Sequence, residues 1–259
     1  MRDMESMETL LDAVTTVARL AGDTALAHFR GTVAVEFKGD GTPVTVADRD
    51  AEQAARDWLA AHFPNDGILG EEFGAERPGA RRRWILDPID CTKSFIHGVP
   101  LWGTLVAVAE GDEILAGAIN CAAAGELVAA ARGTGCWWNG SRCHVSTVSS
   151  LSEATVLTTD ERFQHAPGRR EAWLALAACA RLIRSWGDCF GYLLVATGRV
   201  EAMVDPAMSI WDSAALQPVI EEAGGCFTDW EGARTASGGS AIATNSRLAT
   251  EIRRVMVTP

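Results

Sequence analysis

The stretch Trp84-Ile85-Leu86-Asp87-Pro88-Ile89-Asp90-Cys91-Thr92 constrains this chain more than any other. A short apolar run, read as a buried strand, leads directly into two carboxylates and a hydroxyl. Pro88 has no N–H to give a sheet ladder and disfavours a helical Asp87, so the strand is expected to stop there. Asp87 and Asp90 then fall together at the carboxyl end of a strand, where α/β folds place their ligands. Two acids in one turn repel each other unless a cation lies between them. Hard oxygen donors of this kind suit Mg²⁺, which takes carboxylates, water and substrate phosphate. By itself the D-P-x-D pattern fits an Asp-rich surface turn equally well.

Two further acidic points lie elsewhere in the chain. Glu71-Glu72 follows Ile68-Leu69-Gly70, a second strand end, and Asp212 follows Ile210-Trp211 at the start of an apolar-periodic helix. Asp212 has a competing identity as the cap of that helix, and one carboxylate can serve both roles. Together Gly70-Glu71-Glu72, Asp87-Pro88-Ile89-Asp90-x-Thr92 and Trp211-Asp212 resemble the signatures of the inositol monophosphatase family of metal-dependent phosphatases. The resemblance runs in order from position 38 to about 225. It implies an α/β fold, the layered αβαβα sandwich of the inositol monophosphatase and fructose-1,6-bisphosphatase type. It also implies a Mg²⁺-dependent phosphomonoesterase with two or three cations per site, Mn²⁺ as a substitute, and a homodimer.

Composition sets the bounds on that expectation. A chain of 259 residues supports one large core or two closely joined halves. Hydrophobic residues at 47% and charged residues at 22% are ordinary for a globular protein. No run of about 18 apolar residues suggests a membrane span, and the acidic N-terminus lacks the apolar core of a secretion signal. The net charge of −11 disfavours binding to a nucleic-acid backbone. An anionic phosphate ester would need local cations, which bound metals supply. Seven cysteines, an odd number without a C-x-x-C pair, point to reduced thiols and a cytoplasmic location. The five histidines have neither H-x-x-x-H nor H-E-x-x-H spacing, so zinc is not expected.

Periodicity predicts a helix over 7–29, a strand over 33–38, a Gly- and Pro-rich loop over 38–48 and a helix over 48–62. Residues 77–83 read as a basic loop, and 101–109, 114–120 and 126–131 as successive strands. Asn139-Gly140 signals a type I′ hairpin. From about 151, strands at 154–159, 182–185, 200–204 and 241–244 alternate with helices at 169–180, 189–197, 211–223 and 245–255. A meander followed by strand–helix alternation argues for a layered α/β arrangement. The expectation is one compact domain over 1–259 with two halves, about 1–150 and about 151–259, and a site between them.

The family resemblance assigns roles to particular residues. Glu71, Asp87 and the carbonyl of Ile89 would hold one Mg²⁺; Asp87, Asp90 and Asp212 would hold a second. Asp48 would pair with Thr92 to polarise the attacking water, with Glu71 beside them. Read without the resemblance, Asp48 is simply a carboxylate in the first turn of a helix. The backbone N–H groups of Cys91 and Thr92 would hold phosphate, and Lys38 would support the site. Cys91 departs from the family, which usually has Gly there, and Ser94 stands where Asn is common.

Arg184-Ser185-Trp186-Gly187-Asp188 resembles the R-x-Y/W-G-D segment of bacterial histidinol-phosphate phosphatases of this superfamily. Lys93 and the segment Val99-Pro100-Leu101-Trp102 point to the same branch. Asp188 would receive a substrate ammonium group, with Arg184 and Asp205 as further substrate contacts. Histidinol phosphate is therefore the expected substrate. Inositol, sugar or nucleoside monophosphates are the alternative. A third reading is a non-catalytic protein that binds a phosphorylated metabolite or a partner; Cys91 favours it, and the full carboxylate set speaks against it.

Overall fold

The computed structural model describes residues 6–31, 34–39 and 41–257. The expected strand start at Val33, Asp40 of the Gly- and Pro-rich loop and the acidic stretch 1–5 lie outside the described residues. The first part of the chain runs α1 (Met7–His28), β1 (Val35–Phe37), β2 (Pro43–Thr45), α2 (Val46–His62), β3 (Gly67–Gly70) and β4 (Gly74–Glu76). It continues through β5 (Arg82–Asp90), α3 (Thr92–Ile96), β6 (Gly103–Glu110), β7 (Glu113–Cys121), β8 (Glu126–Ala131), β9 (Gly135–Trp138) and β10 (Ser141–Arg142). Then come β11 (Thr155–Leu157), α4 (Arg170–Cys179), β12 (Leu182–Arg184), α5 (Asp188–Ala196) and β13 (Ala202–Asp205). The last elements are α6 (Ile210–Ser213), α7 (Leu216–Glu222), β14 (Gly225–Thr228), β15 (Ala241–Asn245) and α8 (Ala249–Val257).

Apart from the small β1–β2 pair, these strands form two sheets, ordered β10-β9-β8-β7-β6-β5-β3-β4 and β12-β11-β13-β15-β14. Period-two alternation gives each sheet two apolar faces. Trp84, Leu86, Val106 and Val108 pack on one side against Leu10, Val14 and Val17 of α1 and Ala51, Ala55 and Leu59 of α2. Their neighbours Ile85, Leu105 and Ala107 face the opposite way, towards Tyr192 and Leu193 of α5 and Leu216 and Val219 of α7. The same two helices also bury Leu157, Met203 and Ala243 of the second sheet. Val156, Ala202, Val204 and Ile242, on its far face, pack against Trp173 and Leu176 of α4 and Ile252 of α8. The result is the expected αβαβα layering. No helix among the described residues is long and apolar enough to cross a membrane.

Local departures from the sequence reading have identifiable causes. β5 does not stop at Pro88 but runs on to Asp90, with its register against β6 shifting between Asp87↔Leu105 and Asp90↔Gly103. One extra residue on β5 makes a bulge there. Within it Pro88 has no ladder N–H to supply, and its carbonyl accepts the Thr104 hydroxyl at 2.8 Å. The helix expected over 211–223 is two helices, α6 and α7, broken at Ala214-Ala215. Pro218 explains the break, since it cannot donate to the carbonyl of Ala214 and its ring would collide with it. The last helix starts at Ala249 because the Asn245 side chain accepts from Leu248 N at 2.9 Å and holds a turn before it. β2 forms inside the expected 38–48 loop, and β4 and β14, of three and four residues, are strands that the sequence pattern does not mark. The hairpin is as expected, with positive φ at both Asn139 (47°) and Gly140 (82°).

Candidate active site

The β5 bulge turns Asp87 and Asp90 towards α6, which carries Asp212. Carboxylate oxygens of Asp87, Asp90 and Asp212 all lie within 4.8 Å of one another. Asp212 is not the helix cap itself: Ser209 caps α6, and Asp212 returns the capping-box bond by accepting Ser209 N at 2.7 Å on Oδ2. Asp87 is buried, and its Oδ1 has no hydrogen-bond partner among the described residues. Burial raises the pKa of Asp87 well above the usual carboxylate range, and the charges of Glu71, Asp90 and Asp212 raise it further. Burial likewise raises Asp90, with Asp188 and Asp212 adding to it. Asp212 is pushed up to about 7, chiefly by burial.

Such a cluster is costly as it stands. Three converging hard oxygen donors and an orphaned buried carboxylate oxygen fit a divalent cation.

Glu71 follows β3, its N–H bonded to the Leu86 carbonyl of β5 at 3.1 Å. Its Oε1 accepts Lys38 Nζ at 2.7 Å, and Lys38 also reaches Glu72 at 2.8 Å. Burial opposes the Lys38 charge, but the two carboxylates outweigh it and its pKa is raised. A cavity of about 460 Å³ is lined by Lys38, Glu71, Asp87, Ile89, Asp90, Cys91, Thr92, Lys93, Asp188 and Asp212, among others.

Asp188 opens α5 with φ +50°. Its N–H donates to Thr159 Oγ1 at 2.9 Å, and the next N–H, of Cys189, donates to Asp90 Oδ2 at 2.5 Å. Burial raises the Asp188 pKa, while Cys91, Lys93 and Thr159 offset part of the rise. Asp205 lies deeper and lines an adjoining cavity of about 180 Å³ with Phe163, His165 and Met208. Its two oxygens accept Thr159 N at 3.1 Å and the Tyr192 hydroxyl at 3.0 Å.

Residues 6–257 match the model of the inositol monophosphatase family. This chain belongs to the inositol monophosphatase family. It is 45% identical over 227 residues to a histidinol-phosphatase of Chlorobaculum parvum, covering 87% of this chain and 88% of that one. Against a histidinol-phosphatase of Mycobacterium tuberculosis it is 40% identical over 223 residues, covering 84% and 86%. A solved inositol monophosphatase from Zymomonas mobilis superposes with a TM-score of 0.87 at 32% identity, over 97% of this chain and 99% of that one. The chain is a phosphomonoesterase of a metal-dependent family.

Against the family pattern, Cys91 is now explained in backbone terms. It adopts the left-handed region (φ 66°, ψ 49°) immediately before α3, a conformation in which Gly carries no Cβ penalty. Its thiol donates to Ser94 Oγ at 3.1 Å. Burial raises its pKa, and Asp188 and Asp90 raise it further, so it stays a neutral thiol.

The pairing expected between Asp48 and Thr92 is not what forms. Asp48 Oδ2 accepts both the N–H and the hydroxyl of Thr45 at 2.7 Å, closing the capping box of α2. The Thr92 hydroxyl donates to the Ile89 carbonyl at 3.1 Å. Arg184 also stands apart. It is exposed at the end of the edge strand β12, and its guanidinium donates to the Ile183 carbonyl at 2.7 Å. The turn over 185–187 then carries the chain back to Asp188. Thr159 was missed by the sequence reading although it bonds both Asp188 and Asp205. A Thr-Thr-Asp run at the end of an apolar strand was the only signal for it.

Proposed function

We propose that this phosphatase hydrolyses histidinol phosphate to histidinol and inorganic phosphate, using Mg²⁺ or Mn²⁺. The observation that carries the substrate is Asp188, a half-buried carboxylate tied through the adjacent N–H of Cys189 to the acid cluster and facing the same cavity. A carboxylate there answers the substrate's ammonium group at a distance from phosphorus. The identities of 45% and 40% to histidinol-phosphatases support the same choice.

In this reading Glu71, Asp87 and the Ile89 carbonyl would hold one cation, and Asp87, Asp90 and Asp212 a second. When bound, the cations offset the phosphate charge and make a water a better nucleophile near neutral pH. The protein's own groups do the positioning. The N–H groups of Cys91 and Thr92, at the start of α3, face phosphate oxygens. Because the Thr92 hydroxyl donates its hydrogen bond to the Ile89 carbonyl, its oxygen is left to accept a hydrogen bond from the attacking water. Attack in line forms the new phosphorus–oxygen bond as the bond to the alcohol oxygen breaks. Lys38 holds Glu71 in the absence of a cation and is a direct competitor for that carboxylate.

We place both sheets in one body with halves at about 1–150 and 151–259. This is supported by a single core cluster that joins Ile85 and Leu105 to Met203 and Ala243. The seven free cysteines support a cytoplasmic location. A second reading, an inositol or related monophosphate as substrate, draws on the likeness to the Zymomonas mobilis inositol monophosphatase. Phosphate release measured over histidinol phosphate, inositol phosphates and nucleoside monophosphates decides between them. Histidinol phosphate should give the highest kcat/KM, and a higher value for inositol phosphate would overturn the first reading.

A further inference from the structure

On α2, Asp48, Glu52 and Arg56 follow one another at four-residue spacing, so they share one face of a helix whose other inward positions are Ala47, Ala51, Ala55 and Leu59. Glu52 is fully buried, with no exposed surface. Its Oε2 accepts the N–H of Glu72 at 2.8 Å; its Oε1 accepts the N–H of Phe73 at 3.2 Å and Nε of Arg56 at 2.8 Å. Arg56 in turn donates to the Gly74 carbonyl at 2.6 Å. Two side chains of α2 thus clamp the turn between β3 and β4 at three main-chain points.

Glu71 sits in that turn, between the clamp and Asp87. Gly70, just before it, leaves the space that the Glu52 carboxylate fills. A Cβ at Gly70 would lie 1.9 Å from Glu52 Oε1 and 2.3 Å from its carboxyl carbon. That carboxylate could move aside only by giving up its bonds to the Glu72 and Phe73 N–H groups and to Arg56.

We propose that Glu52 is a positioning residue for cation binding: it fixes the Glu72 and Phe73 N–H groups and thereby aims Glu71 at Asp87. This rests on the metal-site reading given above. A ligand held by a packed, hydrogen-bonded support loses less freedom on binding and presents its oxygen at one place. Gln in place of Glu52 keeps the shape but replaces one acceptor oxygen with a donor NH₂ group, opposed to N–H groups that need acceptors.

The test is Mn²⁺ titrated by calorimetry into the metal-free protein, in wild type, Glu52→Gln, Glu71→Gln and the double variant. Glu52→Gln should bind roughly 10- to 100-fold more weakly than wild type. Added to Glu71→Gln it should cost no more than about twofold further, because its effect passes through Glu71. Gly70→Ala, which expels the Glu52 carboxylate without changing any charge, should reproduce the loss and serves where Glu52→Gln does not fold. Wild-type affinity in a folded Glu52→Gln or Gly70→Ala variant overturns the proposal. So does a loss in the double variant as large as in Glu52→Gln alone, which would mark a merely structural role. No binding by wild type would instead sink the metal-site reading beneath it.

Discussion

The N–H of Cys189 donates to Asp90 Oδ2 at 2.5 Å, joining the β5 bulge to the first turn of α5 across 99 positions of chain. The bond couples the acid cluster to Asp188, its neighbour on α5. The proposed metal and substrate sites are therefore positioned by one contact, and a change at either should be felt at the other.

Asp87→Asn should nearly abolish turnover. Asp87 Oδ1 is buried without a hydrogen-bond partner among the described residues, and an amide there would remove the charge that the two proposed cation sites share. Activity should require Mg²⁺ or Mn²⁺ and vanish in EDTA. Phosphate release at the wild-type rate in EDTA, or by the variant, would contradict the mechanism.

Cys91→Gly should stabilise the fold by about 1 kcal/mol, since the left-handed conformation costs a non-glycine residue roughly 1–2 kcal/mol and Gly returns part of that as chain entropy. Thermal melts measure this. kcat/KM should be retained or rise. A loss beyond about tenfold, roughly 1.4 kcal/mol, would assign the thiol a positive part in catalysis.

Asp188→Asn tests the substrate. The backbone there has φ +50°, which Asn tolerates about as well as Asp. An ammonium contact distant from phosphorus holds ground state and transition state alike, so KM for histidinol phosphate should rise roughly tenfold to a hundredfold with kcat nearly unchanged. Glycerol phosphate, which has no amine, should be barely affected. Equal losses on both esters, with the melting temperature unchanged, would remove the basis for histidinol phosphate.

Asp205 predicts a pH dependence of stability. Burial, with Asp188 adding to it, pushes its carboxyl up to about 7. The folded chain therefore binds this proton more tightly than the unfolded chain does. The stabilisation is complete below the unfolded value near 4 and is lost as pH rises through about 7. In metal-free buffer, urea midpoints should fall from pH 5 to pH 7.5, and Asp205→Asn should show a shallower fall. An unchanged slope in the variant would show that Asp205 does not titrate in this range.

The sequence by itself determined the local backbone and the chemical type of the site. Alternation in 101–131 and the Asn139-Gly140 turn encode the meander, and the resemblance of three short motifs to one family marked Glu71, Asp87, Asp90 and Asp212 as an acid set. These are legible because periodicity and turn chemistry depend on residues adjacent in the chain. Tertiary structure decided the rest. Whether Pro88 ends a strand or sits in a bulge depends on β6 lying alongside, and the Asp48 carboxylate closes a capping box instead of reaching Thr92. Arg184 was placed at the site by its neighbours in sequence, yet the edge position of β12 sends it to solvent. Nothing in the sequence singles out Glu52; only the packing of α2 under the Glu71 turn makes it a buried anchor. Which of several carboxylates is ligand, cap or support depends on strand order and helix packing, which no local spacing encodes.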